Sequence, residues 1–362
     1  LVFTSGSTSR PKAVQSSQRA VAQALMNIDF IGALSGMTSP QAVAALMAKG
    51  LAPATLTVVP LFHVSGLYAQ LLTTLRNGRR MVFMHRWDAA QALQLIRDEK
   101  ITQFSAAPAM VQQLMQAAGF DPAGSAASLG GVGFGGSGLP QGLIDQVLAR
   151  FPNSMSGIGF GMTESNGVGS AISGQLFEGR PRSSGLCSPV IELRISAPDG
   201  RPLPNGEAGE ICLRGVTVMQ GYWGQPEATA QALRNGWLHT GDIGYLDGEG
   251  FLFVVDRLKD VINRSGEKIA AAEVESCLSQ HPAIDEAAVL SVPDADTGEA
   301  VAAVVTVRPG RTVSVDELRA HVAAHLAGYK VPTRIELRTE ALPRNATGKL
   351  VKAELRKMFS AA

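Results

Sequence analysis

The sequence predicts an α/β protein that consists of a large N-terminal body and a smaller C-terminal α+β domain. Through the first half of the chain, short apolar runs alternate with segments of helical periodicity, which is typical of a mostly parallel sheet covered by helices. From about Gly185 the pattern changes to short strands and turns, which indicates a small antiparallel β subdomain. We therefore expect a body over residues 1–257, with an αβ part over 1–184 and a β-rich subdomain over 185–257, and a C-terminal domain over 258–362.

The predicted elements of the αβ part follow from local patterns. Apolar runs predict strands at residues 1–4, 56–60, 80–84, 101–106, 129–134 and 156–160. Apolar stripes at helical spacing predict helices at residues 18–28, 68–76, 89–99, 108–117 and 139–150. Asp88 is placed to cap the third of these helices. Ligands of parallel sheets bind at the carboxyl ends of the strands, so we expect functional residues in the loops that follow them.

The remaining segments predict a different texture. In the β-rich subdomain we expect strands at residues 191–196, 209–214, 245–246 and 251–255. In the C-terminal domain we expect helices at residues 271–279 and 315–326 and strands at residues 286–292, 300–307 and 334–339. A charged run at residues 256–260 interrupts the apolar pattern, and we place the domain boundary there.

Composition excludes several classes of protein. The formal net charge is +1 over 362 residues, so we expect no charge-driven binding to nucleic acid or to an anionic membrane. A hydrophobic content of 45% with 17% charged residues excludes a disordered chain. The three cysteines, Cys187, Cys212 and Cys277, are too few and too widely spaced to predict a disulfide framework or a cysteine-based zinc site. This cysteine usage favours a reducing cytoplasm.

Two observations concern membranes and the start of the chain. No apolar run approaches the roughly 18 residues that would span a bilayer, and no secretory leader is recognisable, so we expect no transmembrane segment. The chain opens on the apolar residues 1–3, without an initiator Met, and passes directly into a polar loop. A buried strand followed at once by such a loop normally lies inside a sheet. We therefore expect that an N-terminal portion of the protein precedes Leu1.

The first loop of the chain is rich in hydroxyl groups and ends in a lysine. Its candidate binding residues are Thr4, Ser5, Gly6, Ser7, Thr8 and Lys12. Hydroxyls and free backbone N–H groups can surround a polyphosphate, and a lysine adds a mobile positive charge. The spacing is not that of a Walker A loop. The alternative is a flexible polar linker, which the position directly after an apolar strand disfavours.

Three more loops follow predicted strands and carry candidate residues. The loop after residues 56–60 carries His63, and the loop after residues 129–134 carries Gly136, Ser137 and Gly138. The loop after residues 156–160 begins with Phe160 and carries Gly161, Thr163 and Glu164. Glycines let a planar ring approach the backbone, an aromatic ring can stack on a base, and a glutamate can hold Mg²⁺. Taken singly, the histidine could be structural and the glycines an ordinary turn. Their position at consecutive strand ends favours one ligand site.

Three charged residues further along the chain are also candidates. Asp242 could accept hydrogen bonds from both hydroxyls of a ribose, or be an ordinary turn aspartate. Arg257 belongs to the charged run, which could equally be a solvated surface. Lys349 lies on a Gly/Asn turn near the end of the chain, where a surface lysine is the common alternative.

In this order the motifs resemble those of the adenylate-forming superfamily, which contains acyl-CoA synthetases, firefly-type luciferases and peptide-synthetase adenylation domains. The resemblance extends from residue 1 to about residue 355. The matching segments are a phosphate loop (4–12), a substrate gate (62–66), an adenine-and-magnesium motif (159–164), the approach to the ribose site (209–215 and 221–223), a ribose motif (237–242), a hinge (256–260), a thiol-facing loop (264–269) and a catalytic-lysine motif (343–349). Family members begin well before the phosphate loop, so the resemblance also implies a preceding N-terminal portion.

The resemblance implies a role for each candidate in two half-reactions on one carboxylic acid. Lys349 would hold the attacking carboxylate and the α-phosphate of ATP, Thr163 would bind phosphate, and Glu164 would hold Mg²⁺. The ribose would be fixed by Asp242 and Arg257, and the adenine would lie between Phe160 and the loop of Gly136, Ser137 and Gly138. The C-terminal domain would be a mobile lid that swings about Lys259. That motion would remove Lys349 and bring the loop of Gly266 to the site, where coenzyme A attacks the acyl-adenylate.

The resemblance also limits the substrate. Adenylation domains for α-amino acids usually carry an Asp where His63 stands, and a histidine cannot supply that charge. We therefore expect a cytoplasmic, ATP- and Mg²⁺-dependent ligase that joins a fatty, aryl or similar lipophilic acid to coenzyme A. The alternatives are an enzyme that loads a carrier protein, and a non-catalytic nucleotide-binding remnant, because Ser9 stands where the family commonly has a second glycine. A homodimer is left open.

Overall fold

The computed structural model describes residues 1–4, 11–135, 139–345 and 348–359, and it confirms the predicted α/β class. A 12-stranded mixed sheet forms the body, and a 5-stranded sheet forms the C-terminal part. A 3-stranded antiparallel sheet is formed by residues 2–3, 13–15 and 221–222, and two of its strands flank the predicted phosphate loop.

The strands of the described residues are numbered in chain order. They are β1 (Val2–Phe3), β2 (Ala13–Gln15), β3 (Ala54–Thr57), β4 (Arg80–Phe83), β5 (Gln103–Ala106), β6 (Val132–Gly135), β7 (Gly157–Phe160), β8 (Ser170–Ser173), β9 (Gly185–Cys187), β10 (Ile191–Ser196), β11 (Gly209–Gly215), β12 (Gly221–Tyr222), β13 (Leu233–Arg234), β14 (Trp237–Leu246), β15 (Phe251–Arg257), β16 (Ile262–Arg264), β17 (Glu267–Ile269), β18 (Ile284–Asp294), β19 (Gly298–Val307) and β20 (Arg334–Arg338).

The helices of the described residues are numbered in the same way. They are α1 (Gln18–Thr38), α2 (Pro40–Ala48), α3 (Thr73–Arg76), α4 (Ala89–Asp98), α5 (Pro108–Gln116), α6 (Gln141–Arg150), α7 (Gln175–Gly179), α8 (Pro226–Ala232), α9 (Ala271–Ser279), α10 (Val315–His325) and α11 (Lys352–Lys357). A π-helix covers Ser65–Leu72, and 3₁₀ turns cover Thr163–Ser165 and Gly328–Lys330.

The body sheet is continuous across its parallel and antiparallel parts. Strands β4, β3, β5, β6 and β7 are parallel neighbours in that order, as the alternation of strands and helices predicts. From β7 onward the sheet continues antiparallel through β8, β9, β15, β14, β11 and β10. The predicted αβ part and the predicted β-rich subdomain therefore share one hydrogen-bonded sheet. Strands β6, β7, β14 and β15 therefore belong to the same sheet.

In the parallel part, β3 is buried at all four residues, whereas β5 alternates between exposed and buried residues. Leu56 and Phe104 on the central strands are 0% and 1% exposed, and α4 and α5 cover them with Ile96 and Leu114. Burying one such side chain contributes about 1.5–3 kcal/mol. A second core, which includes Ile211, lies under the antiparallel strands.

The C-terminal sheet has a different core on each face. Val289 and Val301 pack with α9 and α10, whereas Leu290 and Ala302 point to the opposite face. There they meet Leu342 and α11. The segment that carries Lys349 therefore belongs to the opposite face of this sheet from α9 and α10.

Two helices of the body differ from the sequence-based expectation. Helix α1 continues ten residues beyond the predicted 18–28, to Thr38. Its second half exposes Phe30 and Met37, by 47% and 81%, so the apolar stripe that marks a helix in the sequence is lost there. The predicted helix 68–76 is a π-helix followed by α3. Gly66 lets this π-helix pack closely against the end of the preceding segment, because a Cβ atom there would lie 2.4 Å from the carbonyl oxygen of Pro60.

One helix also bears on the expectation of no membrane span. Among the described residues, α1 is the helix whose length and composition would allow it to cross a membrane. It has 21 residues and a mean hydropathy of 1.2. Only 22% of its apolar window is buried within the structure. A single helix of this kind is weak evidence, because core helices pass the same test.

We predict that Gly185→Ala strongly destabilises the body. Gly185 has φ +93°, and a Cβ atom there would lie 1.9 Å from the carbonyl oxygen of Ala171 in the neighbouring strand. We expect the free energy of unfolding to fall by more than about 2 kcal/mol in a denaturant titration. The control is Gly32→Ala on the exposed side of α1, where nothing lies within 4 Å. There we expect the free energy of unfolding to rise by about 0.5–1 kcal/mol. Equal effects of the two substitutions would contradict the steric role of Gly185.

Candidate active site

The ends of the first loop are joined by hydrogen bonds between β1 and β2. The Thr4 N–H donates to the Lys12 carbonyl at 2.9 Å, and the Lys12 N–H donates to Thr4 Oγ1 at 3.1 Å. Ser5, Gly6, Ser7 and Thr8 lie outside the described residues. The predicted phosphate loop is thus a connection whose two ends are fixed by antiparallel pairing of residues 2–3 with 13–14.

A tyrosine connects this loop to the third strand-end loop. Strand β12 pairs with β2, which places Tyr222 beside Lys12, with Nζ 4.6 Å from the ring centroid. The Tyr222 hydroxyl donates to Glu164 Oε1 at 2.7 Å. Burial, followed by the charge of Glu164, raises the pKa of Tyr222, so the phenol keeps its proton and remains a donor. Sequence reasoning missed this role, because its only signal was the position of Tyr222 in the segment that precedes the ribose motif.

Thr163 and Glu164 lie in a tight 3₁₀ turn directly after β7, and both are buried, at 6% and 7% exposure. Asn166 ends the turn with φ 55°, and its side-chain amide donates to the Thr217 carbonyl at 2.7 Å. Gly161 is required at the start of the turn, since a Cβ atom there would lie 2.5 Å from a backbone carbonyl oxygen. This turn fixes the predicted phosphate and metal residues at a strand end.

The predicted adenine site is only partly described. Phe160 ends β7, and β6 runs parallel to β7 with Gly135 opposite Gly159. The loop of Gly136, Ser137 and Gly138 follows β6 and lies outside the described residues. Gly135, the last described residue before this loop, thus lies beside β7, the strand that ends in Phe160.

His63 is a neutral, oriented imidazole. Burial, and then the positive charge of Lys349, lowers its pKa to about 4. The Ser65 N–H donates to His63 Nδ1 at 3.2 Å, and Ser65 Oγ lies 2.5 Å from the same nitrogen. Since Nδ1 is the acceptor, the proton of the neutral ring is on Nε2. His63 therefore presents one N–H donor and no positive charge at neutral pH.

Asp242 and Arg257 form an ion pair across two neighbouring strands. They are directly opposite each other in the β14–β15 register, and Arg257 Nε lies 3.2 Å from Asp242 Oδ1. Burial raises the pKa of Asp242, and the charges of Arg257 and Lys349 oppose that shift. The carboxylate is only 9% exposed, while the guanidinium side is open to solvent. A buried acceptor with a cation beside it suits the two hydroxyls of a ribose.

Lys349 reaches this group of charges from the C-terminal part. Its own N–H donates to Asn345 Oδ1 at 3.0 Å, and Gly348, with φ +80°, lies against the body, where a Cβ atom would be 3.2 Å from Ala107 Cβ. Burial, then the charge of Arg257, lowers the pKa of Lys349 to about 8. Asp242 and Glu164 act in the opposite direction.

The structure thus brings together most of the described candidates. Lys349 interacts electrostatically with Arg257, Asp242, Glu164 and Lys259, and it also acts on His63. Of these residues, His63 and Glu164 lie in loops after body strands, Asp242 and Arg257 lie on β14 and at the end of β15, and Lys259 follows β15. Burial, then the charge of Arg257, lowers the pKa of Lys259, the predicted hinge.

Gly266 lies elsewhere in this conformation. It forms the tip of the β16–β17 hairpin with Ser265, and both have positive φ, 93° and 52°. The hairpin is held within the C-terminal part, because the Ser265 N–H donates to Thr297 and Arg264 donates to the Tyr329 carbonyl. The structure therefore combines Lys349, and not Gly266, with the charges of the body.

Comparison with known proteins identifies the class of this site. The sequence profile of the AMP-binding enzyme family matches residues 1–223, and that of the AMP-binding enzyme C-terminal domain matches residues 273–349. The chain therefore belongs to the AMP-binding enzyme family, which confirms the predicted resemblance. Within this family its relatives are CoA synthetases and ligases, and the chain is accordingly an AMP-forming acid–thiol ligase.

Two curated relatives are similar over almost the whole chain. A feruloyl-CoA synthase of Amycolatopsis sp is 36% identical over 99% of this chain, which spans 69% of that protein. The 4-coumarate–CoA ligase 1 of Solanum tuberosum is 35% identical over 100% of the chain, which spans 65% of that protein. The chain thus spans about two thirds of the length of these relatives.

Solved structures agree in fold. The o-succinylbenzoate CoA synthetase of Bacillus subtilis, in complex with its acyl-adenylate intermediate, has a TM-score of 0.82 and 31% identity over 98% of this chain and 68% of its own. ATP-bound MatB of Rhodopseudomonas palustris has a TM-score of 0.86 and 26% identity over 99% of this chain and 67% of its own. An amide bond synthetase of Marinactinospora thermotolerans has a TM-score of 0.82 and 30% identity, with 99% of this chain and 68% of that chain covered.

We predict that Tyr222→Phe weakens adenylate formation through Glu164. The substitution keeps the ring beside Lys12 and removes the hydrogen bond to the carboxylate, which is worth about 1.5–3 kcal/mol for a charged partner. We expect about tenfold slower acid-dependent pyrophosphate release and a higher Mg²⁺ concentration at half-maximal rate. The control is Tyr245→Phe, whose ring stacks on Phe253 in β15 and should keep its contact. An unchanged Mg²⁺ dependence in Tyr222→Phe would contradict the role of the hydroxyl.

We predict an alkaline loss of activity that Lys349 causes. Its pKa of about 8 means that the ammonium form is present below that pH and is lost above it. Since kcat/KM reports the groups of the free enzyme, kcat/KM for adenylate formation should fall as the pH rises through about 8. In Lys349→Arg the side chain stays charged, so a slower enzyme without this alkaline limb is expected. The same limb in both proteins would exclude Lys349 as its source.

Proposed function

We propose that the protein activates an aromatic carboxylic acid with ATP and transfers the acyl group to coenzyme A. The observation that carries this proposal is the meeting of Lys349 with Asp242 on β14, Arg257 at the end of β15 and Glu164 in the turn after β7. A lysine among phosphate- and ribose-binding groups is placed to stabilise a reaction at the α-phosphate. The family and the relatives support the same chemistry.

In the first half-reaction, a carboxylate oxygen of the acid attacks the α-phosphorus of ATP, and pyrophosphate leaves. Phosphoryl-type transfers need mainly positioning and charge stabilisation from the protein. Lys349 holds the two anionic reactants together, and the Thr163 hydroxyl donates to a phosphate oxygen. His63, neutral and protonated on Nε2, can donate to the acid without repelling Lys349.

The nucleotide is held by groups of the body. Asp242 accepts from the ribose hydroxyls, and the charge of Arg257, paired with it, opposes the rise that burial causes in the pKa of this carboxyl group. Phe160 at the end of β7 stacks on the adenine, across from the loop at residues 136–138. Thr4 and Lys12 at the base of the first loop bind the leaving phosphates.

The residues also fit a magnesium ion. Mg²⁺ prefers carboxylate oxygen ligands, and Glu164 offers a buried carboxylate whose orientation is set by Tyr222. Glu164 would hold the ion, which supplies charge neutralisation for the phosphates of ATP. The hydrogen bond from Tyr222 to Oε1 keeps the carboxylate turned toward Tyr222, whose ring lies beside Lys12.

In the second half-reaction, the sulfur of coenzyme A attacks the acyl carbon, and AMP leaves. We assign this step to a second position of the C-terminal domain, over residues 258–362, reached by rotation about Lys259. That rotation removes Lys349 and brings the hairpin tip at Gly266 to the acyl-adenylate. The positive φ angles of Ser265 and Gly266 already fix the shape of this tip.

The proposed substrate class rests on the neutral imidazole of His63 and on the relatives. A neutral His63 offers no charge to pair with the ammonium group of an amino acid, which favours a lipophilic acid. The relatives at 35–36% identity carry the names of feruloyl and 4-coumarate ligases, so we infer a hydroxycinnamic type of acid. All three cysteines are free, which supports activity in a reducing cytoplasm.

The first test is a survey of acids by pyrophosphate release, with and without coenzyme A. We expect 4-coumarate and ferulate to give at least about tenfold higher kcat/KM than fatty acids, which corresponds to about 1.4 kcal/mol of transition-state binding. Amino acids should give no release above background. Turnover with a carrier-borne pantetheine arm or an amine, but not with coenzyme A, would show that the acyl acceptor is not coenzyme A. ATP binding without release for any acid would indicate a binding protein.

The second test separates the two half-reactions. Lys349→Ala should lower acyl-adenylate formation by about a hundredfold or more, since it removes a cation from the reacting centre. It should largely spare thioester formation from supplied acyl-adenylate, because that step uses the other domain position. The control is Lys357→Ala at the exposed end of α11. Equal loss of both half-reactions in Lys349→Ala would contradict the two-position assignment.

A further inference from the structure

Three metal-ligating side chains meet on the C-terminal sheet face that does not carry Lys349. Cys277 lies on α9, and His321 and His325 lie four residues apart on α10. One ligand atom from each of the three lies within 4.8 Å of the other two. Cys277 is only 4% exposed, whereas His325 is open to solvent. The cluster is therefore a buried thiol with an access side.

Hydrogen bonds to main-chain carbonyls define the state of both rings. His321 Nε2 lies 3.0 Å from the Cys277 carbonyl oxygen, and His325 Nδ1 lies 2.7 Å from the His321 carbonyl oxygen. A carbonyl only accepts, so these nitrogens donate, and the other nitrogen of each neutral ring keeps its lone pair. Imidazoles that bind metals are commonly oriented by such a hydrogen bond to a carbonyl.

A third histidine lies beside the cluster without joining it. The ring of His281 packs edge-on against that of His321, with the centroids 5.2 Å apart. Its Nδ1 accepts from the Ala283 N–H at 3.3 Å, so the ring's lone pair is already in use. His281 thus walls one side of the cluster, and the exposed side at His325 leaves a fourth position for water.

We propose that Cys277, His321 and His325 form a site for a borderline-soft divalent cation of the zinc type. Thiolate and imidazole are the ligands such ions prefer, whereas Mg²⁺ prefers oxygen. Tetrahedral Zn²⁺ with ligand bonds of about 2.0–2.3 Å holds its ligand atoms about 3.5 Å apart, so the side chains need to close by only about 1 Å. Binding displaces the thiol proton to solvent and changes no oxidation state.

The other cysteine–histidine cluster of the described residues, Glu210, Cys212 and His239, is a poorer candidate. Glu210 Oε2 already receives His239 Nδ1 at 2.7 Å and Arg234 at 3.3 Å, and Oε1 accepts the Gly241 N–H at 3.1 Å. Its carboxylate thus already accepts three internal hydrogen bonds, with which a cation there would compete.

The proposed site is independent of the ligase reaction and would act on the C-terminal part alone. It cross-links α9 to α10, which are 44 residues apart at Cys277 and His321. Sequence spacing gave no signal for it, since only the histidine pair is local. The expectation that the cysteines predict no zinc site rested on spacing between cysteines, and the fold supplies histidines instead.

The test is a Co²⁺ titration of the chelator-treated protein, kept reduced with a phosphine. We expect one Co²⁺ per chain with a sulfur-to-cobalt charge-transfer absorption, displacement by Zn²⁺, and no displacement by excess Mg²⁺. Cys277→Ser should abolish the charge-transfer absorption. His325→Gln, at the exposed end of α10, should weaken binding by about tenfold or more, and it keeps the test valid if Cys277→Ser does not fold.

The controls are the two remaining cysteines. Cys187→Ser, outside both clusters, should leave the titration unchanged. Loss of the absorption in Cys212→Ser, together with its retention in Cys277→Ser, would move the site to the other cluster and overturn the proposal. Absence of a charge-transfer absorption in the parent protein, or binding that is insensitive to His325→Gln, would also overturn it.

Discussion

The functional arrangement depends on the electrostatic interactions of the half-buried ammonium group of Lys349 with Asp242 and Glu164. Taking a cation out of water is unfavourable, and the burial that lowers its pKa to about 8 is a measure of that cost. Asp242 and Glu164 offset part of it, and each is fixed by its own local structure. Asp242 is set by the β14–β15 register and Glu164 by the turn after β7 and by Tyr222. Gly348 lets the loop of Lys349 lie against Ala107.

The continuity of the body sheet gives these groups a common frame. The turn of Glu164 follows β7, and Asp242 and Arg257 lie on β14 and β15, with β8 and β9 hydrogen-bonded between them. A sheet resists shear along its hydrogen bonds, so the groups proposed to bind the nucleotide keep their mutual positions. Motion in the proposed reaction can therefore be confined to the C-terminal domain, which carries Lys349.

Sequence patterns predict those parts of the structure that local periodicity determines. Asp88 caps α4 as expected, through a hydrogen bond to the Gln91 N–H, and α9 has the predicted bounds. The second half of α1 was missed, because its apolar side chains are exposed and obey no period. Tyr222 and the cluster at Cys277 were missed for another reason. Their partners are distant in the sequence, and only strand pairing and helix packing bring them together.

The charges around Lys349 also make closure of the C-terminal domain conditional. Lys349, Arg257 and Lys259 are three cations; Asp242 and Glu164 act against the others at Lys349, and Asp260 does so at Lys259. In the proposed reaction, the phosphates of a bound nucleotide triphosphate would offset the mutual repulsion of these cations. When pyrophosphate departs, most of the anionic charge departs with it. In the proposed reaction, the end of the first chemical step would therefore change the electrostatic balance around Lys349, and this loss of charge would favour release of the domain for the second step.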